Sequence, residues 1–181
     1  MLLIGGLSLG GQILVEMLSQ RCDICKFAII ESALVIPMRL TYCLVKPMIE
    51  ISFGLIKQDW FAKLQFKSLR IKSELYDEYY RDTCNIIKAN MISFLQANSC
   101  YAVKEEIRNT KAKTFIFVGQ KEQSKMIRSA HILNRMITDS VLEIKNKMYH
   151  GEFSINYAKE YSDKVISIIR KENRFFHMGL W

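Results

Sequence analysis

The first twenty residues constrain the fold of this chain more than any other stretch. Residues 1–6 (MLLIGG) are a short apolar run closed by two glycines, and Leu9, Ile13, Leu14, Met17 and Leu18 then recur at helical spacing. Where the two patterns meet stands Gly6-Leu7-Ser8-Leu9-Gly10-Gly11, a G-x-S-x-G sequence between an expected strand and an expected helix. A serine there needs a strained turn that lifts its hydroxyl above a sheet. Glycines two residues to either side, Gly6 and Gly10, remove side chains that would collide where strand and helix approach. The helix that follows aims its unpaired N–H groups and positive dipole end at the same spot.

Two further apolar runs have the length of buried strands: residues 26–30 (KFAII), ending at Glu31-Ser32, and residues 114–118 (TFIFV), closed by Gly119. After Gly119 come a helical pattern (Met126, Ala130, Leu133, Ile137), a short run at residues 141–144, and a final amphipathic helix with Tyr161, Val165, Ile168 and Ile169. Strands alternating with helices predict an α/β fold: a parallel sheet flanked by helices. Between residues 34 and 109 nothing resembles a strand of that sheet. Both prolines, Pro37 and Pro47, sit near its start, and helix formers dominate with aromatics at Trp60, Phe61, Phe66, Tyr76, Tyr79, Tyr80 and Phe94. The expected organisation is a core of residues 1–33 and 110–181, interrupted by a helical cap at residues 34–109.

Several function classes recede on composition. The apolar region at residues 34–56 is cut by Arg39, Lys46, Pro47 and Glu50, so it falls short of the roughly 18 uninterrupted apolar residues of a membrane span. The apolar start lacks the basic leader of an export signal and carries four glycines around one serine. Five cysteines without regular spacing fit a reducing compartment, and the cytoplasm is expected. Cys22-Asp-Ile-Cys25 has a metal-site spacing, but no second pair or nearby histidine completes a ligand set, so no metal is expected. The formal charge of +8 raises nucleic acid or an anionic membrane as partners. The bases between Lys57 and Arg81 alternate with Asp59, Glu74, Asp77, Glu78 and Asp82, however, and a solvated helical face accounts for them. Neither partner is expected.

The chemistry then rests on Ser8. A phosphate-binding loop is the competing reading of the glycines, but G-x-x-x-x-G-K-[ST] is absent. A serine hydroxyl needs a base to take its proton, and three histidines are available. His131 lies inside a helical pattern and His177 in the terminal segment, whereas His150 follows the last strand-like run and is backed by Gly151, which lets a loop return over the sheet. The carboxylate that orients such an imidazole must fall between Ser8 and His150 in this chain order. Glu122, just past the 114–118 run, is the first choice, and Glu31, just past the 26–30 run, the second. The backbone N–H of Leu9 is the expected oxyanion donor.

GLSLGGQ at residues 6–12, FVGQKE at 117–122 and YHGEFS at 149–154 together resemble the α/β-hydrolase superfamily. The resemblance covers essentially the whole chain, with Gly119-Gln-Lys-Glu122 standing where most members carry Gly-x-x-Asp. It implies that the first strand corresponds to the family's fifth, that the chain is the C-terminal half of that fold, and that residues 34–109 are its cap or lid. The family's second oxyanion donor comes from a loop after its third strand, ahead of residue 1 here; losing one donor costs about 100- to 1,000-fold in turnover. An exposed first strand would also recruit another chain, so a homodimer through the open sheet edge is expected. The expected activity is hydrolysis of an ester or related acyl bond in a small hydrophobic substrate, without a cofactor. The competing reading is a catalytically weak relative that serves as a binding module.

Overall fold

The computed structural model describes residues 2–178, with side chains through residue 170. Four strands, β1 (Leu3–Leu7), β2 (Phe27–Glu31), β3 (Lys113–Gly119) and β4 (Ser140–Lys145), form one sheet in the order β1-β2-β3-β4. All three pairings are parallel, with Ile29 opposite Gly5 and Phe115, and Phe115 opposite Val141. Helices α1 (Leu9–Gln20) and α6 (Ser124–Met136) follow β1 and β3, and α7 (Glu152–Asn156) and α8 (Ala158–Met178) follow β4. Between β2 and β3 lie α2 (Arg39–Ser52), α3 (Asp59–Leu69), α4 (Tyr76–Asn85) and α5 (Lys88–Cys100). The strand expected at residues 1–6 thus runs one residue further, to Leu7, the last position before the turn.

The alternation of a strand sorts the core into two layers. From β2, Ala28 and Ile30 join Leu14, Val15 and Leu18 of α1 and Leu133 of α6 on one face. Phe27 and Ile29 point the other way and meet Phe117, Phe153 and Ile168, with Tyr161 packed against them. Every residue of β2 is buried, which is why it reads as an unbroken apolar run rather than an alternating one. Each fully buried Leu, Ile or Phe here contributes roughly 1.5–3 kcal/mol of transfer free energy.

The helical insert has its own packing. Helix α2 lies against α5, and α3 against α4. Phe66 of α3 is ringed by Tyr76 and Tyr79 at centroid distances of 5.3 and 5.1 Å. The Tyr80 hydroxyl donates to the Lys57 carbonyl at 3.0 Å. The insert is stitched to the core by buried Gln12 of α1, whose side-chain amide donates to the Leu34 carbonyl at 2.5 Å and to the Asn98 carbonyl at 3.1 Å. Asn98 returns a bond to Gln12 Oε1 at 2.9 Å.

Candidate active site

The turn that ends β1 holds Ser8 at φ 55°, ψ −114°, a conformation that costs a non-glycine residue on the order of 1–3 kcal/mol. Its N–H donates to the Glu31 carbonyl at the end of β2 at 2.8 Å, and its carbonyl accepts from Gln12 N–H at 3.0 Å. The strained residue is therefore pinned on both sides. Gly6 is obligatory: a Cβ there would lie 2.2 Å from the Gly10 carbonyl oxygen. The expected partner glycine is different from the one that matters. A Cβ on Gly10 would meet nothing within 4 Å, whereas one on Gly11 would meet Ala33 Cβ at 3.0 Å. The close approach is between α1 and the segment after β2, one residue further along than the motif's spacing suggests. Leu9 opens α1, so its N–H has no acceptor within the helix.

His150 lies between β4 and α7, and Gly151 behind it adopts φ 67°. A Cβ at Gly151 would press on both Leu7 methyl carbons at 3.1 Å, so this glycine sets how closely the loop rides on β1. The His150 Nδ1 is 2.8 Å from Glu122 Oε2. The Glu122 side chain is 1% exposed and its imidazole partner 46% exposed, so a buried carboxylate anchors a ring whose other edge is open to solvent. Oε1 of Glu122 accepts from Gly119 N–H at 2.6 Å and from the Ser32 hydroxyl at 2.7 Å. A short turn after β3 explains this: the Glu122 N–H bonds back to the Gly119 carbonyl at 3.2 Å, folding its side chain under the strand end.

Glu31, the second-choice acid, takes another place. It is buried, and its Oε1 accepts from Ser154 N–H at 3.3 Å at the start of α7, while Oε2 is buried without a partner. Burial pushes its carboxyl above the ordinary carboxylate range, which the Ser154 contact only partly offsets. The carboxylate at hydrogen-bonding distance from His150 is that of Glu122. Of the remaining histidines, His131 is exposed on α6, and His177 lies where side chains are outside the described residues.

Ser8, Glu122 and His150 line one cleft of about 270 Å³ together with Leu34, Met38, Asn98, Gln123 and Met126. Leu34, Met38 and Asn98 belong to residues 34–109, so the insert forms one wall of the cleft. Sequence reasoning missed Ser32, which sits at φ 53° directly after β2 and carries its hydroxyl to Glu122. It also missed Arg70 of the insert, at φ 56°, whose guanidinium lies 3.8 Å from the centre of the Tyr149 ring beside His150. The Asn156 side-chain amide donates to the Arg70 carbonyl at 2.8 Å. No motif marks either residue. Among the described residues no cluster of His, Cys, Asp or Glu could hold a metal, and Cys25 of the C-x-x-C pair is buried at the head of β2.

A parallel sheet whose first strand ends in a strained serine, with an acid after the third strand and a histidine after the fourth, defines a class of α/β protein. Solved structures share the fold on which these elements are laid out. The chain superposes on an esterase from Exiguobacterium antarcticum with a TM-score of 0.72 at 18% identity, covering 92% of this chain and 65% of that one. It superposes on a bromoperoxidase from Bacillus anthracis with a TM-score of 0.73 at 14% identity, over 93% and 67% of the two chains. A thermophilic esterase from Thermogutta terrifontis gives 0.70 at 13% identity, over 94% and 65%. The chain has the α/β-hydrolase fold, and it spans about two thirds of the length of the structures it matches. No protein-family model matches its sequence, nor does any curated protein.

Proposed function

We propose that the chain is a serine hydrolase that cleaves an ester or related acyl bond of a small hydrophobic substrate, with Ser8 as nucleophile, His150 as general base and Glu122 as the acid. The observation that carries this reading is the 2.8 Å contact between Glu122 and His150 Nδ1, opening on the same cleft as the strained Ser8. With Nδ1 engaged by the carboxylate, Nε2 is the imidazole nitrogen left to take the Ser8 proton. Ser8 Oγ attacks the acyl carbon, and the carbonyl oxygen becomes an oxyanion facing the Leu9 N–H at the start of α1. His150 returns the proton to the departing alcohol as the carbon–oxygen bond breaks. Water then attacks the acyl-serine with His150 again as base, releasing the acid and restoring Ser8. Leu34, Met38 and Met126 supply the apolar wall that favours a hydrophobic group, and the insert acts as a cap that limits water at the acyl centre. Two of the structures of the same fold are esterases by name.

A fluorophosphonate probe tests the proposal. The wild-type chain should be labelled covalently and Ser8→Ala should not, with p-nitrophenyl ester turnover falling at least about 1,000-fold in the variant. Absence of labelling at every probe concentration would replace the enzyme with a binding module on the same fold.

A further inference from the structure

The helical insert presents a surface that the cleft does not explain. In α2, Val45 and Ile49 face inward, yet Leu40, Leu44, Met48 and Ile51 are 74, 45, 62 and 86% exposed. Their offsets of four, four and three residues put them on one stripe of the helix. Helix α3 shows the same division, with Ala62 and Phe66 buried and Trp60 and Leu64 exposed, and Leu55 and Leu69 nearby in sequence are exposed as well. Apolar exposure on this scale marks an interaction surface rather than a solvated face.

Its charge says what covers it. Residues 39–72 contain seven lysines and arginines and two acids, a net charge of +5. Both acids already have a cation, Glu50 with Lys46 at 3.9 Å and Asp59 with Lys63 at 2.6 Å. A second copy of the chain would set +5 against +5 within a molecule of net charge +8, so self-pairing of this face works against its own field. A nucleic acid would satisfy the bases but has no use for exposed Leu, Met and Ile, which do not stack on nucleobases as aromatic rings do. An anionic lipid surface uses both: the aliphatic stripe enters the acyl boundary, the bases stay with the headgroups, and the indole sits between them. No helix among the described residues is long and apolar enough to cross a membrane, so the mode is lying on the surface.

We propose that the exposed apolar residues of α2 and α3, with the bases of residues 39–72, dock the insert peripherally on an anionic lipid surface. The alternation of charges along the sequence suggests a solvated face, and the proposal departs from that reading because only the folded helices reveal which apolar side chains remain outside. It stands independently of the hydrolase proposal, since its test reads binding and not turnover.

The experiment is co-sedimentation of the full 181-residue chain with vesicles of phosphatidylcholine alone and of phosphatidylcholine mixed with phosphatidylserine. The expected result is at least tenfold stronger partition onto the mixed vesicles, lost in about 1 M salt, where the Debye length is ~3 Å. A triple substitution of exposed residues, Met48→Gln, Ile51→Gln and Trp60→Gln, should weaken partition at least tenfold with unchanged circular dichroism. Lys67→Glu with Lys72→Glu should do the same from the electrostatic side, which keeps the test decisive where the first variant misfolds. In a Trp181→Phe background, Trp60 emission should shift to the blue on vesicle addition. Failure of the wild type to bind mixed vesicles at low salt overturns the proposal, as does wild-type binding by both variants. Conversion of a dimer to a monomer by the triple substitution without vesicles would assign the face to a second copy, and salt-sensitive binding of an oligonucleotide without vesicle binding would assign it to nucleic acid; either overturns it.

Discussion

Two carboxylates lie within reach of the His150 loop, and their surroundings separate their tasks. Glu122 collects a backbone N–H, a serine hydroxyl and the imidazole, so it holds the ring and fixes which nitrogen is free. Glu122→Gln would keep the shape and lose the charge; kcat should fall by about 10³- to 10⁴-fold with the melting temperature little changed, read by ester turnover beside thermal unfolding. Glu31 is buried with one oxygen unpartnered, and burial raises its pKa in the folded state. Between the ordinary carboxylate pKa and that raised value, the unfolded chain binds fewer protons than the native one, so stability falls as pH rises through this window. Thermal melts across the window should show that decline in the wild type and a flatter profile in Glu31→Gln.

At the scale of elements, the serine turn is a contact between a strand end and a helix start, and its glycines are not equivalent. Gly6 has the Gly10 carbonyl where a Cβ would stand, while Gly10 faces open space. Gly6→Ala should prevent the turn from closing and yield little folded protein. Gly10→Ala should fold with stability within about 1 kcal/mol of the wild type, since alanine is the better helix former. Expression yield and chemical denaturation distinguish the two, and a stable Gly6→Ala protein would contradict this account of the turn.

At the scale of the molecule, β1 is a terminal strand of the sheet among the described residues, and its Leu3–Leu7 run is apolar and only partly covered. Such an edge offers backbone groups to another strand. Light scattering should show association that rises with concentration, and an Ile4→Lys change in the strand should suppress it; a monomer across a wide concentration range would contradict it.

What the residues alone determined is local. Apolar runs marked the four strands, and a 3.6-residue period marked the helices that follow the first, third and fourth of them, whereas residues 34–109 were legible only as helix-rich. The serine turn was legible because strand, glycines and helix are adjacent in sequence. Between Glu122 and Glu31 the residues alone set only an order of preference, since one follows a strand and the other ends one, and it is the turn after β3 that folds Glu122 under the His150 ring. Ser32, Gln12 and Arg70 had no local signature, because their partners lie 90, 86 and 79 positions away, at Glu122, Asn98 and Tyr149. The outward stripe of α2 was hidden for a related reason: a helix with apolar residues on two sides shows no single face until its packing partner, α5, covers one of them.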